Sequence, residues 1–155
     1  MEQNKMKVYR FKFPLDKIYV SIIEKFDIDN ATLSQVSKLN QPRSLIFSVN
    51  KGEDPCLLAF IYFYVMEDYD LEEARLSNAS LRALLYLTGS RQVSEALEKA
   101  KRFDSIGVVS NGVEHFRKAL SSIGFHENAF EEEVIDCNMD KMVKVTHFRL
   151  FRMRI

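Results

Sequence analysis

Residues 78–97, NASLRALLYLTGSRQVSEAL, read as two helices joined by one tight turn. Leu81, Leu84, Leu85 and Thr88 recur at i, i+3, i+4 and i+7, the spacing of a single helix face, and Ser77 or Asn78 can cap the start. Gly89 falls where a left-handed residue commonly ends a helix. Val93, Ala96, Leu97 and Ala100 then repeat the spacing, with Glu95 and Lys99 placed to pair along the exposed side. Two helices in succession break the strict β/α alternation of a doubly wound sheet, so the stretch directs the chain to the α+β class.

Outward toward the N-terminus, Asp54 followed by Pro55 reads as an N-cap and first-turn proline. It favours a helix over the apolar run Cys56 to Met66, although Phe60 to Val65 also suit a strand. The acidic residues between Glu67 and Glu73 read as a solvated stretch. Ser44 to Val49, SLIFSV, reads as a buried strand, with a turn at Asn50, Lys51 and Gly52. Leu33, Val36 and Leu39 predict a short helix ended by Asn40, Gln41 and Pro42. Leu15, Ile18, Ile22 and Phe26 line one side of a predicted helix that stops near Asp27 to Asn30. Before it, Val8, Arg10 and Lys12 alternate with Tyr9, Phe11 and Phe13, the period of a strand ending at Pro14.

Outward toward the C-terminus, Ile106 to Ser110 predicts a short strand closed by Asn111 and Gly112. Val113, Phe116, Leu120 and Ile123 trace a helix closed by Gly124. Glu131 to Glu133 form an acidic patch, Met139 to Val145 predict a final helical turn or two, and residues 147–155, HFRLFRMRI, read as a strand. The expected order is β-α-α-β-α-α-α-β-α-β: one α+β domain over residues 1–155, with a small mixed sheet and a helical layer.

The 155 residues suit about one domain, and a 46% hydrophobic composition provides a core. Lys+Arg and Asp+Glu both total 22, so no global field recruits nucleic acid or anionic lipid and any such contact must be local. The opening MEQNKMKVYR has no apolar signal segment. The longest apolar run, Cys56 to Met66, is shorter than the roughly 20 residues of a membrane-spanning helix. Cys56 and Cys137 lie far apart with no metal-ligand spacing, which suggests neither a disulfide framework nor a zinc site and fits a reducing cytoplasm.

Patterns that carry catalysis are missing from the sequence: phosphate loop, GxGxxG, HExxH and GxSxG. His115, His126 and His147 are scattered, and the acidic runs lack the spaced ligands and turning glycines of a hard-cation site. No metal, cofactor or nucleotide site is expected. What stands out is the turn, where Gly89, Ser90, Arg91 and Gln92 concentrate hydrogen-bonding capacity beside the carbonyl end of a helix. The plainer reading is that Arg91 and Gln92 satisfy the last carbonyls.

The combination LLYLTGSRQVSEAL, an apolar helix running into an SGxRQI-like turn and an alanine-bearing helix, resembles the small kinase-binding subunit of the KEOPS (EKC) complex, the PRPK-binding protein family. About twenty residues carry the likeness, and the flanking elements keep the family's order. Phe103–Asp104 stands where that family often has phenylalanine-glycine. The resemblance implies a non-enzymatic subunit of the assembly that installs threonylcarbamoyladenosine in transfer RNA. Such a subunit binds and stimulates an atypical kinase/ATPase subunit and holds tRNA near its 3′ end.

With that role in view, residues 141–155 carry Lys141, Lys144, Arg149, Arg152 and Arg154 and no acid. Arg149, Arg152 and Arg154, with Arg91 and more weakly Arg82, become candidate tRNA contacts, since guanidinium forks bind phosphate. The alternative is that the terminal arginines are solvated and protect an edge strand. Met139, Met142, Phe148 and Phe151 are candidate anchors for the kinase subunit. A competing reading is a self-contained ligand-sensing or dimerising domain, a homo-oligomer in isolation with no RNA role; neither reading involves a membrane.

Overall fold

A computed structural model describes residues 6–12, 15, 17–24, 33, 35, 36, 38, 43–72, 79–125, 130–137, 143, 145 and 146. The alternating MKVYRF forms β1 (Met6–Phe11), and SLIFSV forms β3 (Ser44–Val49), buried along its whole length. Between them, residues 18–24 are a strand, β2 (Ile18–Glu24), where the sequence predicted a helix over Leu15 to Phe26. The i, i+4 spacing of Ile18 and Ile22 is equally an alternation through Val20. The run IYVSIIE is rich in β-branched residues, which fit a strand buried on both faces. Leu33, Gln35, Val36 and Lys38 are helical, in line with the helix predicted from Leu33, Val36 and Leu39, the last of which lies outside the described residues.

Asp54 Oδ1 accepts the Cys56 N–H at 2.9 Å and opens α1 (Pro55–Glu72). This helix continues through the acidic residues instead of ending in a solvated stretch, and Asp68 is buried within it. Next come α2 (Ala79–Thr88) and α3 (Val93–Ala100), as the deciding stretch predicts. Then follow β4 (Ser105–Asn111), α4 (Val113–Ser122) and β5 (Phe130–Ile135). β5 contains Glu131 to Glu133, an acidic patch in the sequence that predicts no strand; three consecutive glutamates hide any apolar alternation. Val143, Val145 and Thr146 are helical, in line with the predicted final turn. The Ser77 or Asn78 cap and the strand over 147–155 fall outside the described residues.

The sheet order is β3-β4-β2-β1-β5, antiparallel throughout except for the parallel pair β1 and β5, so the fold is α+β with a mixed sheet. One face packs Val20, Leu45, Phe47 and Val109 against α1 and α2. The other packs Val8, Ile23, Ile46 and Val108 against Phe116, Ala119 and Leu120 of α4 and against Leu33. Where α1 crosses the sheet it comes so near β4 that a Cβ on Gly107 would lie 3.0 Å from Val49 Cγ1 and 3.3 Å from Leu58 Cδ1.

The two sheet edges are finished differently. At β3 the backbone N–H of Ile46 donates to Ser80 Oγ at 3.1 Å, so the start of α2 covers that edge. β5 presents exposed Glu131, Glu132, Glu133 and Val134, and is tied to β1 by Arg10–Glu132 at 3.1 Å and, just past the strands, by Lys12–Asp136 at 2.9 Å. The Arg10 guanidinium is held more firmly protonated by its hydrogen bond to Glu132.

The expectation of two unpaired thiols is overturned: Cys56 and Cys137 form a disulfide, Cα to Cα 5.5 Å, across a sequence separation of 81. The physical reason is the parallel β1/β5 pair, whose register aligns Ile135 with Phe11. Phe11 and Cys56 belong to one core cluster, and Cys137, two residues past Ile135, packs against it. The inference of a reducing compartment from unpaired cysteines therefore loses its premise. Among the described residues no helix is long and apolar enough to cross a membrane.

Candidate functional site

The turn after α2 is built as its sequence demands. Gly89 takes φ +66°, Ser90 N–H returns to Leu85 O at 3.2 Å, and Thr88 Oγ1 donates to Leu84 O at 2.9 Å. The Thr88 carbonyl accepts from Lys99 Nζ at 3.2 Å, reaching across from α3. A lysine thus serves a carbonyl that sequence reasoning gave to Arg91 and Gln92. Both of those are exposed, and Gln92 is the extended N-cap residue of α3, making no side-chain capping bond.

Behind the turn lies an open cleft of about 400 Å³, lined by Asn50, Glu53, Leu87, Thr88, Lys99, Arg102 and Phe103. Three elements converge there. The β3–α1 turn supplies Asn50 and Glu53, the last turn of α2 supplies Leu87 and Thr88, and the end of α3 supplies the two cations and Phe103. Lys99 also pairs with Glu95 at 3.3 Å, as predicted. Beside the cleft, Asp104 Oδ1 accepts the Lys51 N–H at 2.8 Å and pins the β3–α1 turn to the start of β4. That backbone bond holds the Asp104 carboxyl below the usual carboxylate range. Chemically the lining combines apolar Leu87 and Phe103 with two cations, of which Lys99 already bonds Thr88 O and Glu95, and with the Glu53 carboxylate.

Of the candidate tRNA contacts among the described residues, Arg91 is exposed at the turn itself. Arg82 goes elsewhere: its Nε donates to Asp68 Oδ2 at 2.8 Å, the same oxygen accepts the Tyr86 hydroxyl at 2.5 Å, and the two charged side chains are 15% and 5% exposed. Arg82 is therefore a structural partner in a buried ion pair. Arg149, Arg152, Arg154, Met139, Met142, Phe148 and Phe151 lie outside the described residues, as do His126 and His147; His115 is exposed on α4.

Lys99, Arg102 and Phe103 were missed as site residues. The run KAKRF at 99–103, basic residues ending on an aromatic, carried that signal, while Asn50 enters from about fifty residues upstream and gives none. Among the described residues no three His, Cys, Asp or Glu side chains group where they could hold a metal ion. Neither a protein-family model nor a curated protein matches the chain.

Proposed function

We propose that this chain is a non-catalytic accessory subunit of a KEOPS-type assembly. In that role it binds and stimulates the atypical kinase/ATPase subunit and holds tRNA near its 3′ end during threonylcarbamoyladenosine synthesis. The observation that supports the reading is the arrangement at the resembling turn: Arg91 exposed at its tip, with Lys99, Arg102 and Phe103 in the cleft behind it. An unpaired nucleic-acid end asks for this chemistry, cations for phosphate and an aromatic for a base, with stacking worth about 1–3 kcal/mol per base. With net charge zero, a local grouping is what such a contact requires. The reading places the chain in the cytoplasm with its RNA substrate.

The test is tRNA binding across a salt series, with intact tRNA and with tRNA lacking its CCA end, for the parent chain and for Arg91→Ala and Arg102→Ala. Affinity is expected to fall with salt and with loss of CCA, and each substitution is expected to reduce the log–log salt slope by about 0.7–1. Affinity indifferent to salt and to both substitutions would refute contact by these residues. Size exclusion with the kinase subunit from the same source tests the partner half, where a 1:1 complex is expected.

The competing dimerising reading has one observation in its favour: Val93 and Leu97, one turn apart on α3, are 41% and 48% exposed. A concentration-dependent homodimer lost in Leu97→Glu, with no kinase complex, would favour it instead.

A further inference from the structure

β5 is an edge strand of the sheet. Among the described residues it is the last strand in the sequence, it pairs with β1 on one side, and residues 131–134 are exposed. Its two cross-links to β1 and the residues beside it, Arg10–Glu132 and Lys12–Asp136, are surface ion pairs, and such pairs contribute little. Two residues beyond its end, however, Cys137 is bonded to Cys56 in the first turn of α1. Cys56 belongs to the main core cluster and is 3% exposed, whereas Cys137 is only partly buried. The bond thus joins a buried anchor in the core to the end of an edge strand.

We propose that Cys56–Cys137 is a reversible thiol-exchange site, a clasp that dithiol reductants open and thiol oxidants close, and whose state sets how firmly β5 is held. The point of attack is Cys137 Sγ, on the less buried of the two residues. A reductant thiolate attacks it, forming a mixed disulfide and releasing Cys56 as a thiolate that takes a proton. The reductant's second thiol then attacks its own sulfur in that mixed disulfide, releasing Cys137, which is protonated in turn. One dithiol becomes one disulfide, and two protein thiols appear. Oxidised glutathione reverses the change by the same exchange through a mixed disulfide with one protein cysteine, ending as two reduced glutathione molecules.

Opening removes the closure of an 81-residue separation, and the constraint on chain entropy is large for loops of that length. Its effect is local in the native state. β3, β4 and β2 are paired along their whole lengths and carry much of both core clusters, whereas β1 pairs with β2 at Tyr9–Val20 and Arg10–Tyr19, so β3, β4 and β2 stay protected while β5 opens more often.

The experiment uses the full chain. Differential alkylation counts the thiols after equilibration in glutathione buffers of graded reduced-to-oxidised ratio, and hydrogen exchange read by mass spectrometry compares the two end states. Expected are zero alkylated cysteines at the oxidising end and two at the reducing end. On reduction, peptides spanning 130–137 should lose protection by about tenfold or more, with peptides of β3 and β4 unchanged. Cys137→Ser should reproduce the reduced exchange pattern and be indifferent to the buffer; should that variant not fold, the reduced parent chain carries the comparison alone. Three results would each overturn the proposal: two alkylated thiols at every ratio, no alkylation until the chain is denatured, or loss of protection spread evenly over all five strands.

Discussion

At Gly89 the backbone sits at φ +66° with nothing within 4 Å of the place a Cβ would occupy. The constraint there is conformational and not steric. Gly89→Val is expected to lower stability by about 1 kcal/mol or more in a thermal or urea melt, and Gly89→Asn by less, because asparagine tolerates the left-handed region. This residue was legible in the sequence, since a helix stripe that stops and restarts around one glycine leaves that glycine few other roles. Arg82 was not legible: on paper it is one cation on a helix, and only the fold supplies Asp68 from the preceding helix to absorb it. Tyr62 is a second residue whose chemistry is set by burial. Its hydroxyl donates to Arg43 O at 3.1 Å, and desolvation pushes its pKa up to about 12, against the small opposing pull of Arg43. Because the folded chain keeps this proton longer than the unfolded chain does, its contribution to stability is complete below about pH 10. It is lost as the pH climbs from there toward 12. Tyr62→Phe is expected to flatten that part of the alkaline loss in pH-dependent unfolding, at a cost near neutral pH of about 1 kcal/mol for the missing hydrogen bond.

Between elements, the junction of α1 and α2 rests on the Asp68 carboxylate, which serves Arg82 and Tyr86 together. Removing one partner of a buried pair strands the other charge, so Arg82→Ala is expected to destabilise by about 3 kcal/mol, while Arg82→Lys recovers part of that in the same denaturant titration. The helices α2 and α3 were readable because each carries a clear stripe. The strand β2 was not, because Ile18, Val20, Ile22 and Ile23 satisfy a strand buried on both faces while two of them also fit helical spacing. A central strand has no polar alternation to give it away. The cleft behind Gly89 was half readable. Its α3 residues follow one another in the sequence, but Asn50 and Glu53 join them only because β3 ends beside β4.

At the scale of the molecule, Ser80 bonds one sheet edge at Ile46 and the other edge strand carries three exposed glutamates. Charge on an exposed edge disfavours pairing with another copy. Glu131→Val combined with Glu133→Val is therefore expected to produce concentration-dependent association in light scattering at unchanged far-UV circular dichroism, and a double variant that stays monomeric at every concentration would contradict that role. The parallel β1/β5 pair also bears on how the molecule is made. Met6 aligns with Phe130, so β1 finds this neighbour only after about 120 further residues have left the ribosome. At about 5–20 residues per second, that leaves the outer hydrogen-bonding edge of β1 open for about 6–24 s on every nascent chain. During that window Val8 and Phe11 depend on β2 and the half-built core for cover, and a holding chaperone has its clearest opportunity on this part of the chain.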